Sequence, residues 1–228
     1  MQKVIILLLL FILPAKYTNV ENTESAEVSW SEAYLRYVEM DLEGVVNYKA
    51  FEQAFIGYNK IEEKNKNILT LIDFSKPSTE ERLYVLDMEQ RKLLYSSLVT
   101  HGRNSGDIYA TSFSNKYGSY KSSLGFFVTE NTYQGGNGYS LVLEGLEEGI
   151  NDKAKQRAIV IHGSNYCSPS IVANTGRLGR SLGCPALPRE VTKPIINTIK
   201  DGSLLYIYAD DTNYLAQSPI LSGEIDLI

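Results

Sequence analysis

The chain has 228 residues, 43% of them hydrophobic, and a formal net charge of -5. That length suits one domain of ordinary size with extensions, or two small ones, and the apolar share is enough for a sizeable core. The acidic balance and the absence of any lysine-rich run exclude a nucleic-acid binder held by a basic face.

The N-terminus reads as a secretory signal, taken as residues 1–20. Lys3 gives a positive start and residues 4–13 form an unbroken apolar run. Ten residues are too few for a membrane span, which needs about 20 in a helix, so no stable membrane span is expected. No A-x-A site marks the cut, and no cysteine follows for lipid attachment. The mature protein is expected to be exported, periplasmic or extracellular. Residues 17–28 are polar, acidic and without period, a leader. A helix is expected from near Ser29, with Glu32 as the partner of a capping box. Tyr34, Tyr37, Val38, Leu42 and Val45 keep helical spacing. Gly44 and Asn47 interrupt it, and Phe51, Phe55, Tyr58 and Ile61 mark one face of a second helix.

Beyond the charged run at 62–67 the pattern changes to short strands at 68–74, 82–88, 93–100, 124–129, 140–143, 157–161 and 204–209. A long glycine- and serine-rich loop separates the third from the fourth. A helix over 189–200 is plausible, with Pro194 limiting it. The 16 tyrosines fit half-buried strand positions, with the lining of a carbohydrate or peptide groove as the alternative. The fold expected is mainly β, a sandwich or partly closed barrel, with short helices and an N-terminal helical pair.

Chemistry concentrates in residues 157–188, which hold His162 and both cysteines, Cys167 and Cys184. His162 ends a buried strand, and Cys184 follows Gly183 in a turn. A base at a strand end and a thiol on a tight loop suggest a nucleophile with its activator. Backbone N–H groups of Gly183 and Cys184 are candidate oxyanion donors. Two other readings stand beside this one: a Cys167–Cys184 disulfide, which export permits, and an inert buried thiol. Zinc is disfavoured, because no C-x-x-C or H-x-x-x-H pair exists. His101, just past a strand, is a candidate for the same cleft or for a plain surface loop. Arg177 and Arg180 are candidates to hold a substrate carboxylate, against the alternative of loop salt bridges. Gly135-Gly136-Asn137-Gly138 reads as a turn rather than a phosphate loop.

His162-Gly163 followed by Ser181-Leu182-Gly183-Cys184 resembles the His-Gly … Ser/Thr-x-Gly-Cys signature of the L,D-transpeptidase catalytic domain. Gly179-Arg180-Ser181-Leu182-Gly183-Cys184-Pro185 is similar to the murein branch of that family, and the resemblance extends over roughly residues 48–210. It implies a cysteine acyltransferase acting on peptidoglycan stem peptides, with no cofactor and no metal. Cys184 would form a thioester with a stem tetrapeptide and pass the acyl group to an amine; water as acceptor would give L,D-carboxypeptidase action. His162 would be base then acid, oriented by a backbone carbonyl at Gly163. Arg180, Arg177, His101 and Ser181 would contact substrate. The domains expected are a leader and helical extension at 21–67, the catalytic domain at 68–212 and a tail at 213–228. Two departures stand out: Leu182 where many relatives carry histidine, and Ala186 where many carry arginine or asparagine. The alternative outside enzymology is a disulfide-closed wall-binding domain.

Overall fold

The computed structural model describes residues 31–222. The signal and leader readings, and Ser29, lie outside the described residues. Helix α1 (Glu32–Glu39) starts at Ser31, whose hydroxyl accepts the Tyr34 N–H, satisfying one of the amides left open at a helix start. Helix α2 (Tyr48–Lys60) is capped by Asn47 and buries Ala50, Phe51, Ala54 and Phe55. It lies so close to the sheet that a Cβ on Gly57 would stand 2.1 Å from a Phe126 ring carbon. Only glycine permits that approach.

The strands follow: β1 (Ile68–Asp73), β2 (Leu83–Asp87), β3 (Lys92–Ser97), β4 (Gly125–Gly135), β5 (Gly138–Gly145) and β6 (Val160–Gly163). Helix α3 (Pro169–Thr175), strand β7 (Ala186–Leu187), helix α4 (Arg189–Ile199), strand β8 (Leu204–Tyr208) and helix α5 (Thr212–Gln217) complete the described chain. The strands form one eight-stranded sheet in the order β3-β2-β1-β8-β4-β5-β6-β7. The β1–β8 and β6–β7 pairs are parallel.

The two ends of this sheet nearly meet. β3 stops at Ser97, and the chain just beyond it reaches the far edge, where Thr100 N–H donates to Ala186 O at 2.9 Å. Ser181 N–H then donates to His101 O at 3.0 Å, and Arg103 N–H to Ser181 O at 2.8 Å. Residues 100–103 thus cover the open edge of β7, which leaves fewer unpaired backbone groups there. The result is the partly closed barrel form of the expected β fold. Core side chains bury on both faces of the sheet: Leu69, Leu71, Phe126 and Tyr206 share one, and Leu141 and Ile161 lie on the other, all fully buried, with Phe126 and Tyr206 stacked at 4.2 Å between ring centroids.

Some expected elements differ. β6 runs from Val160, later than expected at its start, because Ala158 takes a left-handed conformation with φ 53°. α4 carries Pro194 without breaking, since Thr192, Ile195, Ile196 and Ile199 all bury against the sheet. The stretch expected as a C-terminal tail begins with α5, tied to the core by Glu147. That carboxylate accepts bonds from Phe126 N–H at 2.7 Å, Ser218 Oγ at 2.5 Å and Tyr214 Oη at 3.2 Å. Among the described residues, no helix is long and apolar enough to cross a membrane.

Candidate active site

Strand pairing brings the histidine and the cysteine to one cleft. In the β6–β7 pair the Cα partner of His162 is Ala186, and Cys184 stands two positions before Ala186, at the entry to β7. Both side chains line one cleft of about 410 Å³. Its walls come from three directions: Asn137 from the β4–β5 turn, Arg157 and Ala158 from the approach to β6, and Tyr166, Arg180 and Leu182 from the segment after it.

His162 is 4% exposed. Its Nδ1 lies 3.1 Å from Gly163 O. A carbonyl only accepts, so Nδ1 carries the proton and the Nε2 lone pair is open. Burial pulls the imidazole below its ordinary range; the Gly163 carbonyl opposes this, and the Arg189 charge adds to it. The half-buried Cys184 thiol donates to Ala158 O at 3.5 Å. Burial pushes it up, while a Val160 backbone hydrogen bond and the Arg157 charge pull it down. The resting pair is therefore neutral thiol and neutral imidazole, with the proton on sulfur.

The loop carrying Cys184 is pinned from within and from behind. Ser181 Oγ donates to Cys184 O at 2.6 Å and accepts Gly183 N–H at 3.1 Å. Ser122 Oγ donates to Gly183 O at 3.2 Å. Gly183 has φ 126°, and a Cβ there would meet Lys121 O at 2.9 Å and Ile159 Cδ1 at 3.0 Å. Glycine is needed for both the backbone angle and the space.

These bonds correct several sequence expectations. The Gly183 N–H is committed to the Ser181 hydroxyl, so of the two candidate oxyanion donors only the Cys184 N–H has no acceptor among the described residues. Ser181 lines the cleft but is buried, and its hydroxyl is engaged within the loop. His101 does not line the cleft. It is 1% exposed and receives an Arg82 Nη2–H at Nδ1, 2.9 Å away, and burial with the Arg82 charge lowers it to about 4. Arg177 also stays out of the cleft and pairs with Asp107 at 2.8 Å. Arg180 does line it, held by Gly106 O at 3.0 Å and Asp107 at 3.3 Å.

Both cysteines are free thiols, which removes the disulfide reading. Cys167 is wholly buried and lines a different cavity, with Ser164, Asn165 and Arg189. Burial pushes its thiol to about 12, despite the nearby Arg82 charge. Sequence reasoning missed three cleft residues: Arg157, Tyr166 and Asn137. Arg157 looked like the polar start of a strand. The glycine turn was visible, but not that Asn137 at its tip overhangs the thiol's cleft.

Comparison with known proteins agrees with the motif. A family model described as the L,D-transpeptidase catalytic domain matches residues 42–208. Among solved structures, an L,D-transpeptidase from Mycobacterium smegmatis is 12% identical, over 63% of this chain and 59% of that one, with a TM-score of 0.39. The helical cell shape determining protein Pgp2 from Campylobacter jejuni is 13% identical, over 70% and 56%, at 0.43. L,D-transpeptidase 3 from Mycobacterium tuberculosis is 10% identical, over 63% and 61%, at 0.40. The chain thus spans less than two thirds of the length of these structures. No curated protein matches it.

Proposed function

The chain belongs to the L,D-transpeptidase catalytic domain family, and from that premise we propose that it is an exported, peptidoglycan-modifying cysteine acyltransferase. The observation that carries this reading is the shared cleft of His162 and Cys184, with His162 Nδ1 tied to Gly163 O and Nε2 left as the base.

The proposed sequence uses these groups in turn. His162 Nε2 takes the Cys184 proton as Sγ attacks the stem-peptide carbonyl that precedes the terminal D-amino acid. The oxyanion accepts from the Cys184 N–H. Collapse breaks the peptide bond; His162 returns the proton to the departing amine, and a thioester remains. An acceptor amine, deprotonated by the same imidazole, attacks the thioester and restores the thiol. Arg180 is the side chain proposed to take the substrate carboxylate, exchanging it for Asp107. Hydrophobic Leu182, 58% exposed at the cleft, offers an apolar contact beside the nucleophile.

The test is incubation with tetrapeptide-stem muropeptides and mass analysis of products. Released D-amino acid with crosslinked dimer supports transpeptidation; release without dimer assigns the carboxypeptidase branch. Absence of both, from folded protein with a titratable thiol, contradicts the proposal.

A further inference from the structure

Arg157 has no part in the steps above, yet it lies against the nucleophile's loop. Its guanidinium makes four hydrogen bonds to one segment: Ser114 O at 2.8 Å, Ser123 Oγ at 2.6 Å, Lys121 O at 2.6 Å and Ser119 Oγ at 3.4 Å. Every acceptor is neutral, and among the described residues Arg157 pairs with no carboxylate. A half-buried cation without a counter-charge is costly. Its Nη2 would stand 3.5 Å from a Cβ on Gly183, the residue before the cysteine. Among the described residues the cleft lining holds no carboxylate; its titratable or charged groups are His162, Arg157, Tyr166, Arg180 and Cys184.

We propose that Arg157 is the charge partner of the Cys184 thiolate, a positioning residue clamped by the 114–123 segment so that its cation faces the sulfur. This rests on the reading of Cys184 as nucleophile. When the S–H bond breaks and the proton moves to His162 Nε2, the cleft gains an anion at sulfur and a cation at imidazole. Arg157 then acquires the counter-charge it lacks at rest, and Arg180 stays free for the substrate carboxylate. The serine-rich segment that looks like an ordinary loop in the sequence is the mount of this cation. Lys121 O serves twice, as acceptor for Arg157 and as the wall against which Gly183 packs.

The pH dependence of iodoacetamide alkylation at Cys184, read by peptide mass on the full chain, tests this. Removing the cation raises the thiol pKa, so less thiolate exists at a given pH. Arg157→Gln is expected to slow alkylation at pH 7 about tenfold and to recover the wild-type rate at a pH high enough to ionise the thiol fully. Arg157→Lys keeps a cation and is expected within about threefold of wild type at pH 7. An Arg157→Gln protein that melts like wild type and alkylates at the wild-type rate at pH 7 overturns the assignment. Should that variant not fold, Arg157→Lys decides: slowing of about tenfold despite a retained positive charge also overturns it. Alkylation needs neither peptidoglycan nor turnover. Failure of the transpeptidase reading would therefore appear separately, as missing muropeptide products with the alkylation profile intact.

Discussion

The molecule has two histidines, each at the end of a strand-like run and each followed by glycine, and two cysteines. Their fates are opposite. His162 donates from Nδ1 to a carbonyl and leaves Nε2 open. His101 accepts at Nδ1 from Arg82, which can only donate, so its proton sits on Nε2. Burial depresses both imidazoles, and for His101 burial, with the adjacent Arg82 charge adding to it, lowers it to about 4. It is a fixed neutral acceptor for a wholly buried guanidinium that also bonds Val99 O and Lys76 O. The thiols divide in the same way: Cys167 is sealed beside that cluster, and Cys184 opens on the cleft. Access and hydrogen-bond partner, not residue type, separate the members of each pair.

Substitution at matched pairs is the sharpest way to break this contrast. Cys184→Ala is expected to lower turnover of stem peptides by at least about a thousandfold. Cys167→Ala should leave turnover near wild type and cost about 1 kcal/mol of stability, measured by urea unfolding. His162→Ala is expected to reduce kcat by about 10²–10⁴. His101→Ala should act on stability instead, by about 2–3 kcal/mol, because Arg82 loses a buried acceptor. A kcat loss for His101→Ala as large as that for His162→Ala would erase the distinction.

Gly183→Ala forces a side chain into a left-handed backbone and against Lys121 O. It should cost about 1–3 kcal/mol and lower kcat as the thiol shifts; stopped assays with a melting curve separate the two effects. The smallest effect is in the pH profile. The lowered imidazole must be neutral to act as base, so the acid limb of kcat/KM should lie below the ordinary histidine range. The raised thiol places the alkaline limb above the ordinary cysteine range. A narrow bell centred near neutrality would contradict the neutral resting pair.

Much of this was legible beforehand, for identifiable reasons. The β2–β3 hairpin shows because alternation and turn residues are local signals, and Ser-x-Gly stands before Cys184 but not before Cys167. β7 was invisible, since two residues between Pro185 and Pro188 carry no period. Barrel closure by residues 100–103 joins distant edges, and no local pattern reports it. His101 and His162 share the same local signature, so only tertiary burial separates them. Arg177 and Arg180 looked equivalent as carboxylate clamps until Asp107 proved to hold both and only Arg180 to face the cleft.

The most direct measurement is peptide mapping after exposure to a carbapenem, whose strained amide the thiolate would open to a thioester retaining the whole drug. The account predicts one adduct, on the peptide containing Cys184, lost in His162→Ala at short times and absent from Cys167. An adduct on Cys167, or none on folded protein whose Cys184 still alkylates, would contradict it.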